Sequence, residues 1–415
     1  MESSYTCTQV FSDDKEVIIG YCPMPKYILE FVDECIEAKM ASLPKDAQIL
    51  IKPNFHKDLP SILGNTTDFR LIIAIVRSLQ KRGYKKIIIG EGPACGFDYS
   101  GVDVFKRLRV NNLANYLGVE YLDFNRADAI AVELCNGRTA RIAKIVSECD
   151  YFINVPKLKT HLLAQISAAL KSLVGCFVGV QKRELHYKLL ENIIRVNTIF
   201  PPDLIFIDAL VAMEGQGPGI GTPVVLDRVL FGKNAFTLDL ACTVLSGHDP
   251  EELKLIRLAV EKGFLTQSDV NEAHIKIPCV HQFIPSKPSK LILFLSLPFI
   301  NKIKNFVRFI YTRPFINHIL YRFKLAEDVM NFNDGDFKIQ LPKLPDERDR
   351  IRCTKYCPLS IDIKKYNWPE DSYKKCLECM YCVFLSGDKG SKIVGNPGYL
   401  EYLLYRYKPW TTKLE

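Results

Sequence analysis

An α/β fold, with a mostly parallel sheet covered by helices, is what this sequence predicts. Three observations carry that prediction. Across the first 280 residues, short apolar runs alternate with helical stripes, the pattern of βαβ units. The runs close on Pro, Gly or Asn, which punctuate strand ends. The composition, 48% hydrophobic and 25% charged over 415 residues, is that of an ordinary globular chain. A chain of this length buries a large core without disulfide staples, and at roughly 100–200 residues per domain it holds two to four domains.

Each element has its own warrant. AQILIK at 47–52 reads as a buried strand closed by Pro53 and Asn54. Leu71, Ile72, Ile75, Val76 and Leu79 mark one face of a helix over 69–81. KIII at 86–89 is a strand that runs straight into GEGPACG. A helix is predicted over 102–117 and short strands over 119–124 and 129–134. DYFINV at 150–155 is a strand closed by Pro156. The Ala- and Leu-rich stretch 161–177 predicts a helix, and 187–200 a second. Strands at 204–207 and 224–231 and helices at 235–246 and 251–262 complete the pattern.

The remainder changes character. Net charge is +8, and the window 283–326 carries eight Lys or Arg and no Asp or Glu. The rest of the chain therefore sums to zero, which argues against a nucleic-acid partner and for one local basic surface. Phe299, Ile300, Ile303, Phe306, Val307 and Ile310 form one apolar stripe; Phe315, Ile316, Ile319, Leu320 and Phe323 form another. Two basic amphipathic helices are expected, suited to an anionic membrane surface through 287–324. The plainer reading is an arm docked on the protein itself. A polar linker is expected over 331–349, and an aromatic, basic tail over 399–410. The expected divisions are an α/β domain over 1–282, the basic arm over 283–330 and a small cysteine-rich domain over 331–415. The first residues lack a basic and apolar leader pattern, and the longest uncharged apolar run, 291–300, is about half a membrane span. A cytoplasmic protein is expected, or one held peripherally on the cytosolic face of a membrane.

Of 14 cysteines, five lie within thirty residues. Cys376, Cys379 and Cys382 make a C-x2-C-x2-C run, and upstream Cys353 and Cys357 precede Pro358 as C-x3-C-P. Ferredoxin runs have the form C-x2-C-x2-C-x3-C-P, with the fourth cysteine serving the other cluster. Here the second run has Ser386 in the fourth place, and the first has Arg350 and Glu347 where cysteines would stand. One ligand set survives, so one [4Fe–4S] cluster is expected on Cys357, Cys376, Cys379 and Cys382, with no second cluster and Cys353 as a spare thiol. The rival is a zinc ribbon on Cys353, Cys357, Cys376 and Cys379. It leaves Cys382 unused and gives no reason for Pro358. Lys374 and Lys375 are expected to favour the reduced cluster.

In a sheet of this kind ligands sit beyond the C-terminal strand ends. Read that way, Lys52, Asn54, Lys157, Lys159 and Lys171 are candidates for binding a small anion, and His161 and Glu214 for moving protons. PKLKTH, at 156–161, is expected to lie as a loop beside a helix N-terminus. Each residue also has a plainer reading: solvated loop lysines, a structural histidine, a surface lysine in a helix. The glycine loop 214–221 is not a P-loop, because no Gly-Lys-Ser/Thr follows.

Together these pieces resemble the iron–sulfur proteins grouped as "domain of unknown function 362", over roughly 15–265 plus the cysteine segment. ILIKPNF at 49–55, IIIGEGP at 87–93 and NVPKLKTH at 154–161 carry the likeness. So do ALKSLVGCFVG at 169–179 and IDALVAMEGQGPGIGTP at 207–223. Members commonly carry two ferredoxin runs; this chain keeps one ligand set. The core is also distantly similar to the lactate racemase family, in which a His and Lys pair in comparable loops holds a nickel-containing nucleotide. The matching positions here are His161 and Lys171, and that cofactor is not carried across. The family's reaction is not established, and the expectation drawn here comes from a ferredoxin ligand set attached to a sheet with polar strand tips: a redox protein, an oxidoreductase or reductive maturation factor acting on a small anion. The alternatives are a non-catalytic electron carrier or membrane-docked adaptor for a redox partner protein, and a metal or cofactor carrier.

Overall fold

The computed structural model describes residues 5–135, 137–287, 315, 316, 319, 323, 333–341, 346–361, 376–387 and 390–414. The basic arm, apart from 283–287 and four single positions, and Lys374 and Lys375 lie outside the described residues.

The strands in chain order are β1 (Thr6–Val10), β2 (Val17–Tyr21), β3 (Gln48–Pro53), β4 (Lys86–Glu91), β5 (Glu120–Asp123), β6 (Ala129–Glu133) and β7 (Thr139–Ala143). They continue as β8 (Tyr151–Val155), β9 (Lys157–His161), β10 (Gln165–Ser167), β11 (Leu204–Glu214), β12 (Thr222–Gly232), β13 (Phe337–Gln340) and β14 (Lys392–Gly395). The main sheet runs β1-β2-β12-β11-β8-β3-β4-β5. Strands β11, β8, β3, β4 and β5 are parallel, and β12, β2 and β1 extend the sheet antiparallel. This is the expected class, an α/β body on a mixed sheet with a parallel centre.

Strand alternation builds two core layers. Ile49 and Ile51 of β3 face a layer with the helices Pro25–Lys39 and Phe69–Lys81. Leu50, between them, faces the opposite side, with Phe152 and Phe124. Ile205 and Ile207 of β11 face the helices Ala235–Leu245, Lys254–Glu261 and Gln267–Lys276. Asp68 caps the helix Phe69–Lys81 by accepting from the Arg70 N–H.

Three sequence expectations change. The stretch 161–177 is not one helix: it holds the end of β9, the short β10, the helix Ala169–Ser172 and the 3-10 turn Leu173–Cys176. PKLKTH is not a loop at a helix N-terminus. Pro156, lacking an N–H, divides one extended run into β8 and β9, and both pair parallel with β11. The strand predicted over 204–207 continues to Glu214, so Asp208 lies inside it rather than beyond its tip.

Within the expected polar linker, β13 pairs antiparallel with β14 and buries Phe337 and Ile339. These strands and the helices Glu347–Tyr356, Tyr381–Leu385 and Tyr399–Thr411 share a core that takes in Leu59, Ile62, Leu63 and Val211 of the α/β body. Among the described residues no helix is long and apolar enough to cross a membrane.

Candidate functional site

Two places draw the chemistry-bearing residues together. The first is a cleft of about 170 Å3 at the C-terminal ends of β3 and β4, lined by Asn54, His56, Glu91, Lys159, Lys171 and Lys182 among others. Its floor is a buried ion pair: Lys52 Nζ meets Glu91 Oε2 at 3.0 Å and also donates to Ser172 Oγ at 3.1 Å. Glu91 accepts from the Phe55 N–H at 3.2 Å and the Gly92 N–H at 2.8 Å. Gly175 makes room for that carboxylate. A Cβ there would fall 2.1 Å from Glu91 Oε1 and 3.1 Å from Lys52 Nζ. Gly175→Ala is therefore expected to dislodge the pair and cost about 3 kcal/mol or more, read as a lower midpoint in denaturant with an unchanged slope.

Residue alternation on β9 explains the lysines. Leu158 enters the core, while Lys157 and Lys159 share the other face. Lys157 Nζ meets Asp208 Oδ2 at 2.8 Å, both side chains fully buried. Lys159 has no carboxylate partner among the described residues. It donates to Asn54 Oδ1 at 2.8 Å and to the Asn65 carbonyl at 2.8 Å, and lies 3.2 Å from His56 Nδ1. Burial, then Lys171 and Lys157, holds its pKa well below the ordinary lysine value. Burial and then Lys52 bring Lys171 down to about 8, and burial brings Lys182 down to about 8 against the opposing pull of Glu91.

The expected site residues thus divide. Asn54, Lys159 and Lys171 line the cleft. Lys52 and Lys157 each carry a buried carboxylate partner, so they set the frame rather than reach for a ligand. His161 stands beside the cleft; burial, with Lys171, Lys159 and His186 near, holds it well below its ordinary pKa. Its Nδ1 accepts from the Leu163 and Ala164 N–H groups, each at 3.1 Å. The neutral ring then carries its proton on Nε2 and offers no lone pair there to a metal. Glu214 is not among the cleft-lining residues. It accepts from the Ile284 N–H at 2.8 Å, lies 3.1 Å from His281 Nε2, and so ties down the segment after residue 280.

Sequence reasoning missed His56, Lys182 and His186. His56 had a signal, a histidine two residues beyond Asn54 at a strand tip. Lys182 and His186 had none, because the 3-10 segment Gly179–His186 carries no periodic pattern.

The second place is a cavity of about 30 Å3 lined by Cys353, Cys357, Cys376, Cys379 and Cys382, with Leu341, Pro358, Leu377 and Met380 among its apolar walls. Glu378 and Met380 adopt positive φ on either side of Cys379, which wraps the loop around the cavity. The Glu378 N–H donates to Cys376 Sγ at 3.4 Å. Burial pushes the Cys379 and Cys382 thiols well above their ordinary pKa, and each of the four expected ligands lies within electrostatic reach of the other three. Among the described residues, no group of three or more His, Cys, Asp or Glu side chains is gathered tightly enough to hold a single metal ion.

The two places meet through the loop 61–69. Tyr381 OH accepts from the Phe69 N–H at 3.2 Å and pairs with Ser61 Oγ. The same loop supplies the Asn65 carbonyl to Lys159, and Thr67 Oγ1 accepts from the Asn54 N–H at 2.7 Å. Asn112 Nδ2 donates to the Leu377 carbonyl at 3.1 Å and adds a second clasp.

Fold and site thus define an α/β protein with a lysine-rich cleft and a cysteine-lined cavity docked beside it. The family model described as "Domain of unknown function (DUF362)" matches residues 49–244, the span that holds the cleft. A Synechocystis protein described as thylakoid-associated protein sll1697 is 26% identical over 216 residues, which cover 49% of this chain and 64% of that protein. Two solved structures overlap the fold at low scores. The lactate racemase apoprotein from Thermoanaerobacterium thermosaccharolyticum has a TM-score of 0.37 and 11% identity, covering 58% of this chain and 62% of its own. A Thermotoga maritima protein has a TM-score of 0.34 and 13% identity, covering 54% and 59%.

Proposed function

We propose that this chain is a redox protein, an oxidoreductase or reductive maturation factor, that carries one [4Fe–4S] cluster and takes a small anionic molecule in the lysine cleft. The observation that supports it most is the set of cysteines, from two segments remote in sequence, around one apolar cavity. The donor set fits the group: five of the lining residues are cysteines, the Tyr381 hydroxyl is engaged by Ser61 and the Phe69 N–H, and thiolate is the ligand iron–sulfur clusters take. Cys357, Cys376, Cys379 and Cys382 would hold it. The bound cluster supplies one-electron transfer. The Glu378 N–H bond to Cys376 Sγ is of the kind that stabilises the more negative state of such a centre.

The cleft contributes charge and orientation. The Lys171 side chain makes no hydrogen bond or ion pair among the described residues, so its ammonium is available to an anion. His161 presents a donor at Nε2. Anion affinity then depends on pH through the lysines. With Lys171 and Lys182 near 8, both are cations below that pH and lose their protons above it. Phosphate or oxalate affinity, measured by calorimetry, is expected to fall as pH rises through about 8, with proton uptake on binding near that pH. Affinity constant from about pH 7 to about pH 9.5 would show that these lysines do not meet the anion.

Anaerobic purification with iron, sulfide and zinc analysis tests the centre. About four irons and four sulfides per chain are expected; zinc without iron would overturn the redox reading. A second reading has its own support. The Synechocystis relative is described as thylakoid-associated, and the basic arm 287–324 suits an anionic membrane surface. On that reading the chain is a peripheral electron carrier or adaptor for a redox partner protein, on the cytosolic face of a membrane. Flotation with vesicles of anionic and of neutral lipid separates the two.

A further inference from the structure

His56 Nε2 is shut off from solvent and has no hydrogen-bond partner, yet its ring lines the lysine cleft. Leaving a buried polar atom unpaired costs about 1–3 kcal/mol, so an atom in that state beside a cleft points to something the cleft receives. What the atom offers depends on the ring's other nitrogen. An ammonium has three N–H groups; burial works against that charge on Lys159, an anion in the cleft would favour it, and three acceptors stand around the charged Nζ: Asn54 Oδ1, the Asn65 carbonyl and His56 Nδ1. When all three are used, His56 Nδ1 accepts and the ring proton sits on Nε2. The 3.0 Å approach of Nδ1 to Asn54 Oδ1 is then that of two acceptors sharing one ammonium. In the other tautomer Nδ1–H donates to Asn54 Oδ1, which removes His56 from the acceptors and strands one ammonium N–H.

We infer that an oxyanion in the cleft, from a carboxylate or a phosphate, is bound by the Nε2–H of His56, in a tautomer that the Lys159 ammonium imposes from the far side of the ring. The ring serves as a neutral donor. Burial keeps it uncharged, with Lys159, Lys57, Lys171 and His161 around it all opposing a further positive charge. A neutral donor backed by a cation binds an oxygen without giving up a proton to it. Lys171, unpartnered among the described residues, supplies the countercharge from the same cleft. The arrangement makes Asn54 and Asn65 positioning groups, since they hold Lys159 where it can orient His56.

The inference rests on the cleft being an anion site, and the test separates the two. The full chain is labelled with 15N-histidine, and two-bond proton–nitrogen correlation reads each ring's tautomer, with His56→Gln assigning the signal. His56 is expected to be neutral at about pH 6.5, with a bare Nδ1 and its proton on Nε2. Titration with phosphate and, separately, oxalate is expected to move the His56 Nε2 signal more than Nδ1, and the tighter of the two identifies the source of the oxyanion. His56→Ala is expected to weaken binding about tenfold or more, while His56→Gln, whose amide can donate from a similar place, keeps more of it. Lys159→Met is expected to move the ring proton to Nδ1. A proton on Nδ1 with Lys159 intact, or anion binding that leaves Nε2 unmoved, would overturn the role of His56 alone. If neither anion binds the unaltered chain, the anion cleft falls and the role of His56 falls with it.

Discussion

Cys379→Ser is expected to strip the chain of the iron and sulfide proposed for it while leaving the α/β body folded. Cys379 is half-buried and within electrostatic reach of the other three expected ligands, and the wrapped backbone at Glu378 and Met380 puts it at the centre of the run. A serine hydroxyl is a poor substitute for thiolate toward iron, and one lost ligand leaves three. The C-terminal unit should then loosen, because its cavity is walled by the same cysteines and by Leu377 and Met380. The α/β layers have cores of their own, drawn from β3, β4, β8 and β11 with their helices. Two measurements decide the matter. Iron and sulfide content should fall to background, and hydrogen exchange should rise over 346–361 and 376–387 but not over 49–53 or 204–214. Loss of protection across the whole chain would mean the two units share one cooperative core. Unchanged iron would mean that Cys379 is not a ligand, and would favour a set that includes Cys353, whose Sγ donates to the Cys382 carbonyl at 3.7 Å.

How much of this was legible in the sequence depends on whether the information was local. The helix Phe69–Lys81 coincides with its predicted span, because its apolar stripe and the Asp68 cap both lie within the segment. That the cysteines line one cavity follows a local signal too, since the C-x2-C-x2-C spacing puts Cys376, Cys379 and Cys382 on one short loop. The helix Pro25–Lys39 is absent from the sequence reading although Ile28, Phe31, Val32, Cys35 and Ile36 form a helical stripe. The failures were of another kind. Ala and Leu in 161–177 signal a helix, but Gln165–Ser167 is a strand because β9 offers it a ladder. That is a tertiary fact, and it overrides propensity. Asp208 read as a strand end because an isolated carboxylate inside a buried strand is unfavourable. Its partner Lys157 lies 51 positions away, and no linear pattern links the two. The same blindness hid the division among the lysines. Lys52, Lys157 and Lys159 look alike in sequence, yet only Lys159 lacks a carboxylate partner among the described residues.

That division leads to the second large effect. Asp208→Asn is expected to destabilise the protein by about 3–5 kcal/mol, because it leaves the Lys157 ammonium buried without its counterion. Burial is complete on both sides of the pair. Burial pushes the Asp208 carboxyl up in pKa and Lys157 opposes that rise, while Asp68 lies close by and adds to it. The carboxylate also accepts from the Asp68 N–H at 2.6 Å and the Leu210 N–H at 3.0 Å. An amide that turns its oxygen to one of these presents N–H to the other, so the backbone pays as well as the lysine. The effect should reach the cleft. Asp208 and Lys157 are register partners of β11 and β9, and Lys159 sits two residues further along the same strand face. A shifted β9 moves Lys159 away from Asn54 and Asn65, so phosphate and oxalate affinity should drop along with stability. Denaturant unfolding and calorimetry on one preparation test both halves. The double replacement Lys157→Met with Asp208→Leu supplies the control. Removing both charges for apolar groups of similar size should recover much of the lost stability. A double variant no more stable than Asp208→Asn would show that the backbone hydrogen bonds, and not the unpaired ammonium, carry the cost.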